Sequence, residues 1–208
     1  MIDTKQKILD TAERLIGDQG YAGTSLRHII GEAGVNLAAV HYHFGSKEDL
    51  LDELILRKAA AVNAERVALL ESFQAEAKGR PVPVSRILLA FFQPMQEAGS
   101  RNPQFVKLMA RMYAEGLLPS IVAKHFHPTL SRFVEALRRA LPSLPEAELS
   151  ARLQFMIGAM SHAVCGSLQP MPMLAPAAPP DFRQTMRRLM VFLIGGLEAP
   201  PTPEVEAK

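Results

Sequence analysis

The six histidines and the one cysteine of this 208-residue chain are where ligation or nucleophilic chemistry would first be sought, and their spacing suits neither. His41 and His43 stand two apart, so on a helix they point in different directions. His162 and Cys165, three apart, could share a metal, but no third and fourth ligand accompany them. No glycine-rich phosphate loop, nucleophile elbow or Cys-His arrangement is recognisable. The sequence therefore predicts no metal, no cofactor and no enzyme. What it offers instead is a surface suited to recognition. Asn36, Leu37, Ala39, His41, Tyr42 and His43 face outward on a short helical pattern whose inward side is Val40 and Phe44. Arg27 precedes this cluster and Lys47 follows it.

The elements that must hold this cluster are helices. Apolar residues recur three and four apart almost everywhere, and the alternating or β-branched runs of strands are nearly absent, so the fold class is all-α. Ile8, Leu9, Ala12, Leu15 and Ile16 mark a first helix, with Asp3 as N-cap and Gly20 at its end. A second begins near Thr24 or Ser25, carries Leu26, Ile29, Ile30 and Ala33, and stops at Gly34. Asn36 caps a third, ended by Gly45. Ser46 with Asp49 forms a capping box for a fourth of about 30 residues, which ends at the cluster Lys78 to Pro83. Later helices fit Val84 to Ala98, a segment opened by Asn102 and Pro103, and Ser120 to Leu141, which Pro128 should kink or split. Two more fit Pro145 to Gly166 and Asp181 to Leu197. The five prolines between Ser167 and Pro180 read as a loop.

Two short helices joined by a glycine-containing turn form an arrangement whose second helix can enter a DNA major groove. The residues here go further than spacing. TSLRHIIGEAGVNLAAVHYHFGSKEDLL, residues 24–51, resembles the signature of the TetR family of bacterial transcriptional repressors, a likeness covering about residues 3–56. The resemblance implies a DNA-binding helix-turn-helix domain over 1–46, with the motif at about 25–44. It also implies a ligand-binding and dimerisation domain over 47–198, and 199–208 read as a disordered tail. By the same resemblance Leu37, Ala38, Ala39 and His41 face base edges, where alanine and leucine can touch thymine methyl groups. Tyr42, His43 and Lys47 match phosphate-contacting positions, and Arg27 one that reaches a phosphate or a base. The family more often has tyrosine where this chain has His41. A helix face that is merely solvated is the plainer alternative.

Charge bounds the partner. The chain carries 23 Lys+Arg against 21 Asp+Glu, a net of +2, and 48% hydrophobic residues. That is no polybasic coat, so any nucleic-acid contact must be local. Residues 1–50 hold five basic and seven acidic side chains, a net of −2. Phosphate attraction must come from a few placed cations and from helix N-termini at Ser25, Asn36 and Ser46. A shallow salt slope follows, with about four to six phosphates neutralised by a dimer. The expected partner is double-stranded DNA read by a homodimer, with half-sites about 34 Å apart.

The dimer is expected to form through the last two helices. Gly158, Ala159, Ser161 and Ala163 permit close approach, and Met186, Leu189, Met190, Phe192, Leu193 and Ile194 cover more than one face. Simple closure of the monomer core is the alternative. Ten methionines suit either an adaptable cavity or ordinary core filling. Candidate ligand-binding residues are Met109, Arg111, Met112, Tyr113, His125, Gln154, Met156 and His162. The likeness of GVNLAAVHYHFGSKEDL to regulators in this family that answer to fatty acids, acyl thioesters or other lipophilic compounds suggests a small lipophilic effector. No run of about 18 apolar residues appears and the amino end lacks a signal peptide, so a cytoplasmic protein with no membrane span is expected. The competing functional reading is a helical interaction protein of the same fold without sequence-specific DNA binding.

Overall fold

The computed structural model describes residues 4–165 and 182–203. Asp3 as a cap, the loop expected within 166–181 and residues 204–208 of the expected tail lie outside them. Among the described residues every regular element is an α-helix: α1 Thr4–Gln19, α2 Leu26–Ala33, α3 Leu37–His43, α4 Lys47–Ala77 and α5 Val84–Arg101. α6 Pro103–Ala114, α7 Leu118–His125, α8 His127–Ala140, α9 Glu146–Cys165 and α10 Phe182–Glu198 follow. The local punctuation acts as the residue types dictate. The Ser25 side chain accepts from the His28 N–H at 3.1 Å. Gly34, at φ 60°, closes α2 with bonds Gly34 N–H to Gly31 and Val35 N–H to Ile30, a left-handed cap that a Cβ would strain. Ser46 receives the Asp49 N–H at 3.0 Å while its hydroxyl donates to the Asp49 carboxylate at 2.6 Å. Asn102 caps α6 through Gln104 N–H, with Pro103 in the first turn. The segment expected as one helix over 120–141 is two. Phe126 separates α7 from α8, and Pro128 sits in the first turn of α8, where its missing N–H costs nothing.

The chain divides into two compact units, Met1–Ala64 with Glu97–Pro128, and Glu65–Gln96 with Thr129–Lys208. In the first, Ile8, Leu15 and Ile16 of α1 are fully buried with Ile29 of α2, Val40 of α3 and Leu50 and Leu54 of α4. Leu108 and Met112 of α6 and Ile121 of α7 belong to the same core. Its polar centre is Glu13, whose nearly buried carboxylate takes Lys58 Nζ at 2.8 Å, an Arg57 nitrogen at 3.5 Å and the Asn102 side-chain amide at 2.8 Å.

The second unit packs Leu70 and Phe73 of α4, Ile87, Leu88 and Phe92 of α5, Phe133 of α8, Met156 of α9 and Met186 and Leu193 of α10. Phe91 stacks edge-on against Phe92 and Phe133 at 5.2 Å each. Arg66 is buried against Phe91, donating Nε to its carbonyl at 2.8 Å; burial pushes its pKa down to about 10, which leaves it charged at neutral pH. Arg152 of α9 binds the end of α10. It donates to the carbonyls of Gly196, Leu197, Ala199 and Pro200 at 2.7–3.0 Å and to Glu148 at 2.9 Å, and Thr202 donates to Glu148 at 2.9 Å. Residues 199–202, read from the sequence as the start of a disordered tail, are thus held, because a guanidinium satisfies the carbonyls that the helix end leaves open. α9 and α10 pack on each other. One side of the pair enters the core while Phe155, Val191 and Phe192 stand exposed on it, Phe155 at 72% and Phe192 at 69%.

Candidate nucleic-acid interface

α3 is seven residues long and cannot persist without support, since helices this short are unstable alone. Val40 is completely buried and Phe44 nearly so, and α3 packs on α1 and α2. That anchorage leaves the opposite side exposed: Leu37 is 50% and Tyr42 87% exposed, and Asn36, Ala38 and His41 are exposed too. Two large side chains, one apolar and one aromatic, are thus left in water on a short helix. Ala39 lies within α3, its side chain outside the described set. His43 is half-buried, edge-on to Tyr42 with ring centroids 5.1 Å apart. Arg27 is exposed on α2, and Ser25 spends its oxygen on the α2 cap.

The turn before α2 adds order that the sequence did not disclose. His41 Nδ1 lies 3.0 Å from the Gly45 carbonyl, so that nitrogen carries the proton and Nε2 is the ring's remaining polar atom. Lys47, expected at a phosphate, donates to the Tyr21 carbonyl at 2.5 Å and lies 3.9 Å from the centre of the Tyr21 ring. The Tyr21 hydroxyl donates to Glu48 at 3.0 Å. Burial, then the Glu48 bond and the charges of Glu48 and Asp52, push the Tyr21 pKa up to about 12. Glu48 is held below the ordinary carboxylate range, first by its backbone bond at the start of α4 and then by Tyr21. Tyr21 also donates its amide to Glu115, 94 residues along the chain. No local pattern links those positions.

The candidate ligand residues fall in both units. In the first, Met112 is fully buried and Met109 half-buried in the core, while Arg111 is exposed and donates to the Asp18 carbonyl at 3.2 Å. Tyr113 is exposed, and the His125 ring is buried with Nε2 3.0 Å from Asp52. In the second, Met156 is in the core and Gln154 and His162 are exposed. A cleft of about 60 Å³ in that unit, lined by Gln74, Arg80 and Arg139 among others, contains none of these residues. It is too small for an effector, which needs several hundred Å³.

Asp52 is burdened by burial but held below its ordinary 3.8 by the hydrogen bonds of Lys124 and His125. A depressed carboxylate stabilises fully above its unfolded pKa and loses that contribution as pH falls through the folded value. Acid below about pH 4 should therefore loosen α7. Hydrogen exchange of the α7 amides in the native chain and in Asp52→Asn checks this: the variant should show weakened protection at neutral pH and a flattened acid response.

Comparison with known proteins places this arrangement in context. Residues 8–54 match the family model described as bacterial regulatory proteins, tetR family. Residues 87–196, just over half the chain, match that described as tetracyclin repressor-like, C-terminal domain. The HTH-type transcriptional regulator AcrR of Shigella flexneri is 38% identical over 88 residues, covering 42% of this chain and 39% of that protein. The match thus spans about two-fifths of that relative's length. The ketosteroid transcriptional regulator KstR2 of Mycobacterium tuberculosis superposes with a TM-score of 0.63 at 18% identity, over 94% of this chain and 95% of that one. The fatty acid degradation regulator FadR of Bacillus halodurans gives 0.61 at 16% identity, over 96% and 99%. These two likenesses show the fold. Among the described residues no helix is long and apolar enough to cross a membrane.

Proposed function

The chain belongs to the TetR family of bacterial regulatory proteins, and from that premise we propose that it is a dimeric transcriptional repressor, not an enzyme, released from a palindromic operator by a lipophilic effector. The observation that carries the DNA reading is α3 itself, fastened by Val40 and Phe44 with Leu37, Ala38, His41 and Tyr42 exposed. Leu37 and Ala38 supply apolar contact to thymine methyls, and His41 presents Nε2 to a base edge. Arg27 supplies a phosphate contact beside them. The helix-turn-helix head is read as residues 1–46 and the ligand-binding and dimerisation body as 47–198.

Dimerisation is assigned to α9 and α10. Phe155, Val191 and Phe192 are exposed there, and Gly158, Gly195 and Gly196 have open space where a Cβ would stand. A twofold pairing of the two helices would bury these side chains and supply a second reading head, the usual way for weak half-site contacts to become a regulatory affinity. The lipophilic effector is inferred from the apolar, methionine-bearing cores and from the ketosteroid and fatty-acid contexts in the names of two structural neighbours. α4 contributes residues to both units, and it is the element on which the effector is proposed to act. About 1–3 kcal/mol of differential affinity between the two states suffices.

Selection from a random duplex library by the purified dimer, followed by footprinting, tests the proposal; a palindrome protected over two half-sites is expected, and no enrichment would end it. Arg27→Ala should weaken binding about fivefold at every selected sequence and lower the salt slope by about one per head, the signature of a phosphate contact. Electrophoretic mobility measured across salt concentrations checks this. The net −2 charge of residues 1–50 and the commitment of Lys47 to Tyr21 favour the second reading, an interaction protein without sequence preference. Unchanged DNA occupancy in Arg27→Ala combined with Lys47→Ala would support that reading.

A further inference from the structure

We infer that Glu115, the residue after α6, is a positioning residue for DNA reading: its carboxylate ties α6 to the α1–α2 turn and, through Tyr21, to the first turn of α4. The inference rests on the reading of α3 as the DNA-contacting helix. Both carboxylate oxygens are used, one accepting the Tyr21 N–H at 2.8 Å and the other the Ala22 N–H at 2.9 Å. Gly20 makes the approach possible. Its φ is 84°, and a Cβ built there would come within 2.3 Å of a Glu115 oxygen. From the same residue, Tyr21, the contacts continue into α4 through the Tyr21 carbonyl to Lys47 and the Tyr21 hydroxyl to Glu48. A single turn residue therefore receives α6 on its amide and α4 on its carbonyl, ring and hydroxyl.

The rest of α6 supports the same face. Lys107 donates to the Asp18 carboxylate at 3.3 Å and Arg111 to the Asp18 carbonyl at 3.2 Å. Residues 107, 111 and 115, four apart, meet Asp18 near the end of α1 and the turn that follows it. Helix stability alone does not account for Glu115. The C-terminal end of a helix carries partial negative charge and favours a cation, so a carboxylate there acts against its own helix. Its return is the pair of amides it orders. Glu115 thus joins the end of α6 to the turn, and the turn in its place holds Lys47 and Glu48 at the start of α4, immediately after α3.

The test uses the full-length protein with Glu115→Ala and Glu115→Gln, and the duplex that the native protein selects from a random library. Loss of bonds to a charged acceptor should reduce exchange protection of the Tyr21 and Ala22 amides by about ten- to hundredfold in Glu115→Ala, with Glu115→Gln between it and the native chain. DNA affinity should fall about tenfold in Glu115→Ala with the slope against log salt unchanged, since no phosphate contact is lost. The sign is decisive. Removing an acidic side chain that acted only through charge would tighten DNA binding, whereas loss of positioning weakens it. A Glu115→Ala protein that binds the selected duplex as tightly as native or more tightly, or that keeps full protection at both amides, overturns the inference. A native protein that selects no duplex ends the DNA reading and the inference with it, and the exchange result then still reports whether the latch exists.

Discussion

Phe155→Asp combined with Phe192→Asp is expected to yield a folded monomer whose affinity for the selected operator is lower by about two to four orders of magnitude. Both side chains are mostly exposed within the single chain, so aspartate costs little to fold. In a twofold pairing of α9 and α10 the same substitutions would place four carboxylates in an apolar, water-excluded contact, where unpaired charge is prohibitive. Each reading head would remain intact, so the loss would lie in the linkage between heads. Light scattering gives the mass and mobility shift gives the affinity. A double variant that stays dimeric with native affinity would refute assembly through this face.

Arg152→Ala should cost about 1–3 kcal/mol of unfolding free energy, because it removes a mostly buried guanidinium and its hydrogen bonds to the carbonyls at the end of α10. Arg152 is 9% exposed and Glu148 23%. The substitution strands Glu148 and leaves the carbonyls of Gly196, Leu197, Ala199 and Pro200 without the guanidinium. Glu148, held below the usual carboxylate range first by Arg152 and then by Thr202, should return toward its ordinary value. Arg152→Lys should recover only part of the loss, since one ammonium cannot reach four carbonyls and a carboxylate together. Urea unfolding measures the change, and amide exchange in the last turn of α10 localises it. An unchanged midpoint would show that the C-terminal carbonyls find equivalent partners in water.

The contrast between these residues explains what was legible beforehand. Ser25, Gly34, the Ser46–Asp49 box and Asn102–Pro103 act within one helical turn, so residue type and spacing already specify them. The apolar faces of α1 to α4 were legible for the same reason, and with them the exposed side of α3. Glu115 was not. It lies 94 positions from Tyr21, and an acidic residue at a helix end carries no sign of its partner. Arg152, likewise, reads as one more basic residue on a helix until α10 is seen to end against it. Lys47 was legible as a cation beside α3, but not as one whose ammonium already has the Tyr21 carbonyl and ring. Periodicity says which face turns inward, while polar pairing across the fold depends on which helices meet.

The core of the first unit is drawn from both ends of a discontinuous stretch: Leu108, Met112 and Ile121 complete the surface formed by Ile8 to Ile55. This limits how such a regulator can be rewired. A transplant of residues 1–54 onto a foreign body would carry greasy sockets shaped for α6 and α7 into water. A recombinant keeping 97–128 with the transplant would bring its own plug. On the proposed reading of α3 as the DNA-contacting helix, specificity is better changed by exchanging its few exposed side chains than by swapping whole segments.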